Sequence, residues 1–249
     1  MNPYLRNLSK IEFIATYACT GRCKHCSEGD HSLLGERIDP KVAADTVRKV
    51  ALEYDVKTVM VFGGEPLLHT DAVYEIMNAA REMNIPKRQV ITNGFFSSDE
   101  EKIREVAKEL FRCGVNDLLL SVDAFHQEHI PLDAVRIFAK EAKDAGVPIR
   151  LQPAWLVSSD DGNPYNEMTR RILDGFADLG ISKNGGNVIF PEGNALKYLA
   201  EYFTDELPEN PYREDPCDVK CLSIEPSGDV LGGNIYCTDV MSIIDGYSV

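Results

Sequence analysis

Six short apolar runs typical of β-strands recur along the chain, and each is followed by a longer segment with helical periodicity. Their starts are mostly about thirty residues apart, which is the length of one strand–helix repeat. Because strands that alternate with helices pair in parallel, this pattern predicts an α/β fold with helices packed on a parallel sheet. The predicted strands are residues 11–16, 57–62, 88–92, 117–122, 147–152 and 187–190.

Several of the intervening helices have recognisable ends. One begins at Asp39-Pro40, a capping residue followed by a proline at the first helical position. Another begins near Ser98 and stops at Gly114, and two more are predicted over residues 133–145 and 166–179. Each has one apolar stripe, which predicts packing against the sheet.

The strand–helix rhythm changes after residue 195. A helix is predicted over residues 194–207, followed by an acidic, proline-rich stretch over residues 208–216. A hairpin is then expected between residues 221–224 and residues 230–237, because a Pro-Ser-Gly-Asp turn separates them. We therefore expect one large domain over residues 1–195 and a small β-hairpin/helix extension over residues 196–249.

The composition excludes some classes of partner. The chain has 26 Lys and Arg against 40 Asp and Glu, a formal net charge of -14. Nucleic acids and anionic membranes attract basic surfaces, so neither is an expected partner. The sequence has neither a secretory leader nor an apolar run long enough to cross a membrane, and we expect a cytoplasmic protein.

Three of the seven cysteines lie on one short loop after the first predicted strand. Cys19, Cys23 and Cys26 have the spacing C-x3-C-x2-C, and thiolates are the ligands of zinc and of iron–sulfur clusters. A cubane cluster has four irons, so three cysteines would leave one iron open to a non-protein ligand. The spacing alone leaves both metals possible.

A Gly-Gly-Glu-Pro turn at residues 63–66 follows the second predicted strand. Together with the cysteine motif, it makes residues 9–195 resemble the radical SAM superfamily. The resemblance implies a partial (β/α)6 TIM-like barrel and a [4Fe-4S] cluster on the cysteine triad, with S-adenosylmethionine chelating the fourth iron. It also implies reductive cleavage of that cofactor to a radical that abstracts a hydrogen atom from the substrate.

Polar residues follow the third, fourth and fifth predicted strands, at the barrel end where catalytic residues gather. The resemblance implies that the Gly-Gly-Glu-Pro turn meets the methionine amino group and that Ser121 and Asp123 face the ribose or carboxylate. Where the family usually has an aromatic residue before the third cysteine, this chain has His25, which we expect to stack on adenine; metal ligation is the alternative. The predicted cofactor-binding residues are His25, Gly63, Gly64, Glu65, Pro66, Asn93, Ser121, Asp123 and Gln152.

Two other histidines follow the fourth predicted strand. His126 and His129 either face the substrate or serve as exposed or helix-capping residues.

The C-terminal cysteines form a second group. Cys221, Gly232 and Cys237 fit the C-x9-15-G-x4-C opening of the SPASM and twitch extensions, and Cys217 lies four residues upstream. The later cysteine pairs of those extensions are absent from the sequence. Three interpretations follow: an auxiliary iron–sulfur cluster completed by another protein ligand or a substrate atom, a zinc site, or buried thiols. Cys113, near the end of a predicted helix, is expected to be a core thiol.

The resemblance predicts a radical SAM oxidoreductase or maturase. Its substrate would be a small molecule or a peptide, and its electron donor a reductant such as flavodoxin or ferredoxin. An auxiliary cluster would suit an oxidative step, because it can accept the second electron. The alternative from another class is a non-catalytic iron–sulfur electron carrier or a zinc-stabilised scaffold protein.

Overall fold

The computed structural model of the protein describes residues 2–27, 35–203 and 210–249. The strands are β1 (Lys10–Ile14), β2 (Thr58–Phe62), β3 (Lys87–Thr92), β4 (Asp117–Ser121), β5 (Ile149–Gln152), β6 (Ala154–Trp155), β7 (Ser182–Lys183), β8 (Asn187–Val188), β9 (Cys221–Ile224), β10 (Asp229–Val230) and β11 (Gly233–Asn234). The α-helices are α1 (Pro40–Glu53), α2 (Thr70–Glu82), α3 (Glu100–Arg112), α4 (Ala124–Gln127), α5 (Leu132–Asp144), α6 (Pro164–Asp174), α7 (Asn194–Tyr198) and α8 (Val240–Gly246). Short 3-10 helices cover Pro3–Leu5, Pro66–His69, Ala177–Leu179 and Ala200–Tyr202.

The main sheet is parallel throughout. Within the described ranges it contains seven strands in the order β7-β5-β4-β3-β2-β1-β9. Residues of its inner face surround a cavity, whereas the outer face is covered by helices such as α1 and α2. The predicted α/β partial barrel is confirmed.

Local sequence accounts for the helix starts. The Asp39 carboxylate accepts hydrogen bonds from the backbone N–H groups of Lys41 and Val42, and Pro40 occupies the first turn of α1. Helix α3 is capped in the same way by Asp99, one residue after the Ser98 predicted to begin it. Each cap satisfies backbone donors that have no partner within the helix.

The sixth predicted strand does not join the main sheet. Within residues 187–190, β8 pairs with β6 in a separate two-stranded parallel sheet, and the main sheet ends at β7 instead. Pro153 interrupts the chain between β5 and β6. Gly186, with φ of 80°, turns the backbone from β7 into β8 so closely that an added Cβ would lie 2.4 Å from the Pro153 carbonyl oxygen.

The predicted hairpin also pairs differently. Strand β9 is the parallel partner of β1, from Lys10↔Cys221 to Phe13↔Ile224, and the antiparallel hairpin forms between β10 and β11. The apolar residues Leu222 and Ile224 of β9 are fully buried in the main core, so burial favours the barrel edge over a separate hairpin.

The rest of the C-terminal region fits the prediction in part. Helix α7 and the 3-10 helix Ala200–Tyr202 lie within the predicted helix 194–207, whereas residues 204–209 lie outside the described ranges. Helix α8 follows the hairpin and packs against α1. The domain boundary at residue 195 stays a prediction. Among the helices of the described chain, none combines the length and apolar character needed to cross a bilayer.

Candidate active site

A cavity of about 700 Å³ lies inside the curved sheet. The cysteine loop, the inner face of the sheet and parts of residues 184–192 line it. The predicted site residues that it brings together are Cys19, Cys23, Cys26, His25, Gly63, Gly64, Asn93, Ser121, Asp123 and Gln152. Glu65 and Pro66 are buried beside the cavity and do not line it.

The glycine turn after β2 forms backbone hydrogen bonds with the cysteine loop after β1. Gly64 N donates to Thr16 O and Glu65 N donates to Ala18 O, each over 2.8 Å. An added Cβ on Gly64 would lie 2.2 Å from Ala18 O, and one on Gly63 would lie 2.6 Å from Thr16 O. Both glycines are therefore required by the close approach of two backbones, a contact that any other residue would obstruct.

The first two thiols of the loop lie around Gly21; Cys23 is buried and Cys19 is partly buried. A Cβ on Gly21 would lie 3.2 Å from Cys23 Sγ and 3.7 Å from Cys19 Sγ. Burial raises the pKa of Cys19 and of Cys23, so both remain protonated until a cation stabilises the thiolates. Cys26 lies on the same loop, which Asn194 N ties down by donating to the Cys26 carbonyl over 2.9 Å. This donor set suits a soft metal centre.

Glu65 connects three segments from a buried position. One carboxylate oxygen accepts from Leu67 N at 2.9 Å and Thr92 Oγ1 at 2.7 Å, and the other accepts from Asn93 N at 2.8 Å. Burial raises the pKa of Glu65 to about 7, although these hydrogen bonds oppose the shift. In this structure the carboxylate holds the end of β3 against the glycine turn.

Both carboxylate oxygens of Asp123 are likewise engaged by the protein. Oδ1 accepts from the N–H groups of Phe125 and His126, which caps α4, and Oδ2 accepts from Ala154 N at 3.1 Å. Oδ2 also lies 2.8 Å from His126 Nδ1. Burial acts to raise the pKa of Asp123, but His126 outweighs it and lowers the pKa to about 2; in turn Asp123 raises the pKa of His126 against the effect of burial. Asp123 therefore orients His126 at the cavity wall.

His25 lies among aromatic rings. Its ring centroid is 5.0 Å from that of Phe125 and 4.9 Å from that of His126. The buried Nδ1 of His25 has no hydrogen-bond partner within the described chain, and burial lowers the pKa of this residue to about 4. Cys23, His25 and His126 each place one potential ligand atom within 4.8 Å of the others. Stacking on a cofactor and metal ligation both stay predictions for His25.

The sequence left the position of His126 open, and it gave no prediction for the residues at the end of the cavity away from the cysteine loop. The structure places His126 in the cavity lining, whereas His129 is exposed. Lys10, Glu12 and Gln89 also line the cavity, below the level of the cysteine loop. The alternation of polar and apolar residues along β1 was the signal that could have found the first two.

The three C-terminal cysteines do not lie together: Cys217 and Cys221 are near the start of β9, and Cys237 is near its other end. Cys221 begins β9 and is buried beside Glu12, and Cys217 is exposed before that strand. Cys237 is exposed and follows the β10–β11 hairpin, at the opposite end of β9. The structure therefore does not gather the three around one centre. Cys113 is 3% exposed within the main core, as predicted.

The model of the Radical SAM superfamily matches residues 13–150 of the chain. The chain belongs to the radical SAM superfamily. It is an enzyme of that superfamily, and its cofactors are S-adenosylmethionine and a [4Fe-4S] cluster. The residues present fit these groups: one loop supplies three thiols, and the glycine turn lines the cavity beside them.

Curated relatives of this radical SAM chain include probable GTP 3',8-cyclases. The protein of Metallosphaera sedula is 26% identical over 192 residues, covering 74% of this chain and 56% of the relative. That of Saccharolobus islandicus is 28% identical over 218 residues, covering 79% of this chain and 65% of the relative. The chain thus spans between about half and two thirds of the length of these relatives.

Solved structures show the same fold. Streptococcus suis SuiB bound to S-adenosylmethionine has a TM-score of 0.61 at 15% identity, covering 96% of this radical SAM chain and 66% of SuiB. Native anSMEcpe with bound AdoMet has a TM-score of 0.57 at 16% identity, covering 93% of this chain and 76% of that protein.

Proposed function

We propose that this enzyme reductively cleaves S-adenosylmethionine at a [4Fe-4S] cluster held by Cys19, Cys23 and Cys26, and abstracts a hydrogen atom from its substrate to oxidise or modify it. The observation that carries the proposal is the position of the cysteine loop, which is bonded to the glycine turn at the wall of a cavity inside the barrel. When bound, the cluster and its cofactor supply one-electron bond cleavage and a carbon radical.

The protein's own contribution is binding, orientation and exclusion of water. Gly63 and Gly64 leave backbone exposed to a ligand in the cavity, and Asn93, Ser121 and Gln152 supply polar groups around it. Asp123 fixes the ring of His126, so we assign Asp123 a positioning role and His126 the direct contact with the cofactor. The enclosing barrel keeps water from a reactive intermediate.

The volume of the cavity favours a substrate whose reacting part is small. About 700 Å³ has to accommodate both the cofactor and the reacting part of the substrate. This suits a small molecule or one side chain of a peptide. We do not assign GTP, the substrate named for the relatives: among the described lining residues Lys10 is the single lysine or arginine, and it is already paired with Glu12.

A second cluster bound by Cys217, Cys221 and Cys237 stays a proposal. It requires the segment after β9 to rearrange, because Cys237 lies at the opposite end of that strand from the other two. Loss of about half the iron on replacing all three by alanine supports such a cluster, and unchanged iron opposes it.

The test of the main function is anaerobic. The reconstituted protein is analysed for iron, reduced in the presence of S-adenosylmethionine, and assayed for 5′-deoxyadenosine. We expect product from the wild type and none from the variant with alanine at Cys19, Cys23 and Cys26. The matched control is Cys113→Ala, which removes a buried thiol outside the cavity and should retain iron and product. Absence of product and of any spectral change with S-adenosylmethionine would refute the proposal.

We further propose a cytoplasmic location and a flavodoxin-like or ferredoxin-like electron donor. Both follow from the need for reduced thiols and a low-potential electron. Reduction of the cluster by purified flavodoxin, followed by absorbance, tests the second point.

A further inference from the structure

Two residues of opposite charge, Lys10 and Glu12, lie in the lower part of the cavity. They are two positions apart on β1, so both side chains point to the same face of the sheet, into the barrel. Lys10 Nζ lies 2.5 Å from Glu12 Oε2, and the side chains are 31% and 17% exposed. Interiors of βα barrels are usually filled by apolar layers, so an ion pair facing an open cavity departs from that rule.

The strand register arranges the cavity lining in levels. Glu12 lies level with Met60 and Gln89 on one side and with Ser223 on the other. The level above it, toward the cysteine loop, has an apolar lining; Arg150, which shares this level with Leu119, donates to Asp117 and does not line the cavity. This apolar level is lined by Ile14, Phe62, Ile91 and Leu119. Polar residues return at the third level, which contains Asn93, Ser121 and Gln152. A ligand spanning the cavity therefore meets charges, then an aliphatic zone, then the cofactor-binding end.

We propose that the Lys10–Glu12 pair binds the amino and carboxylate groups of an aliphatic α-amino acid, the substrate of this enzyme. The proposal rests on the proposed function, which places the cofactor at the cysteine loop. The carboxylate of the amino acid pairs with Lys10 and its ammonium group pairs with Glu12. Its aliphatic chain passes the apolar level and presents a C–H bond to the cofactor end.

Charge balance selects this class of ligand. A ligand with a single charge would separate Lys10 from Glu12 and leave one of them without a counter-charge inside the barrel, which is costly. A zwitterion exchanges one ion pair for two and leaves no charge unpaired. A neutral polar ligand can hydrogen-bond to both groups but brings no counter-charge to either, so the pair favours a zwitterion over it. The thiol of Cys221 also contacts Glu12, but it is uncharged because burial raises its pKa.

The test uses L-norleucine as the probe, titrated by calorimetry into the reconstituted enzyme with S-adenosylmethionine present. The comparison ligand is N-acetyl-L-norleucine amide, which has the same chain and neither charge. We expect norleucine to bind about tenfold more tightly, the effect of one or more charge-assisted hydrogen bonds. N-acetyl-L-norleucine and L-norleucine amide each keep one charge, and both should bind more weakly than norleucine.

Two double variants examine the pair itself. Lys10→Met with Glu12→Gln removes both charges and should abolish the preference for norleucine. Lys10→Glu with Glu12→Lys exchanges the positions of the two charges. The ion pair can still form, so this variant should fold. Because each charge then lies where the ligand group of the same sign is expected, it should also lose the preference for norleucine. The control is Lys140→Met with Asp144→Asn, an exposed pair on α5 with a 2.7 Å contact, which should bind as the wild type does.

Several results would overturn the proposal. The first is that norleucine does not bind. The second is that N-acetyl-L-norleucine amide, or either compound with one charge, binds as tightly as norleucine; equal binding of a singly charged compound would indicate that the pair recognises a peptide terminus. The third is that both double variants keep the preference for norleucine. Formation of 5′-deoxyadenosine without substrate is measured separately. If the wild type forms none and shows no spectral change with S-adenosylmethionine, the proposed function fails, whereas the binding comparison still decides whether the pair recognises a zwitterion.

Discussion

Replacement of Gly64 by alanine tests whether the glycine turn and the cysteine loop form one unit. The new Cβ would lie 2.2 Å from Ala18 O, 2.7 Å from Ala18 C and 2.8 Å from Tyr17 O. All three are backbone atoms, so no side-chain rotation relieves the contact. The two segments have to separate by about 1 Å to reach ordinary van der Waals distance.

The expected cost follows from what the separation breaks. Hydrogen bonds from Gly64 N to Thr16 O and from Glu65 N to Ala18 O, both 2.8 Å, span this contact. Their weakening contributes about 1 kcal/mol each, and overpacking adds about 1–3 kcal/mol, so we expect a loss of about 3–5 kcal/mol of unfolding free energy. Urea unfolding should then have its midpoint lowered by about 1–1.5 M, for a slope near 3 kcal/mol/M.

The same variant should bind less iron, because the displaced backbone carries Cys19 away from the other thiols. The matched control is Gly162→Ala, since no atom lies within 4 Å of a Cβ added at Gly162. Urea unfolding and iron analysis of both variants after anaerobic reconstitution give the comparison. Equal midpoints and equal iron in the two variants would refute the idea that backbone contact at Gly64 organises the loop.

Three further changes have defined outcomes. Asp123→Asn breaks a buried pair with His126 and should cost about 3–5 kcal/mol of unfolding free energy at neutral pH. Because the folded pKa of Asp123 is lowered to about 2, the wild type should lose about 2 kcal/mol as pH falls from about 4 toward 2, and the variant should not, as measured by urea unfolding at each pH. Glu65 changes the pH dependence of stability in the opposite direction. Its folded pKa is raised to about 7, so the free energy of unfolding falls as pH rises from 4.5 to 7, and Glu65→Gln should reduce this fall when urea unfolding is measured across that range. Cys113→Ala should cost about 1 kcal/mol in urea unfolding with no loss of iron, and lower iron would contradict its assignment as a core thiol.

The strand–helix rhythm predicted the architecture because it depends on local periodicity. Five of the six predicted barrel strands correspond to β1–β5 in the described chain. The sixth overlaps β8, which lies outside the main sheet; β7, the strand that does join the sheet there, was missed because it contains two residues, too few for an alternating pattern to be distinguished from a loop. Strand β9 was recognised as a strand, but its partner was not: pairing with β1 joins residues about two hundred positions apart, and no turn signal specifies such a contact.

The features of the candidate site also fall into those that the sequence determined and those that only the tertiary structure decided. The sequence by itself determined that three thiols share one loop and that a Gly-Gly turn follows the next strand, since spacing along a short segment limits where those groups can lie. Only the tertiary structure decided what the polar groups contact. Glu65 and Asp123 bond mainly to backbone N–H groups and neighbouring side chains, and Lys10 and Glu12 meet the cavity. The choice between a ligand and a protein partner depends on which atoms converge from distant segments, and sequence spacing does not encode that convergence.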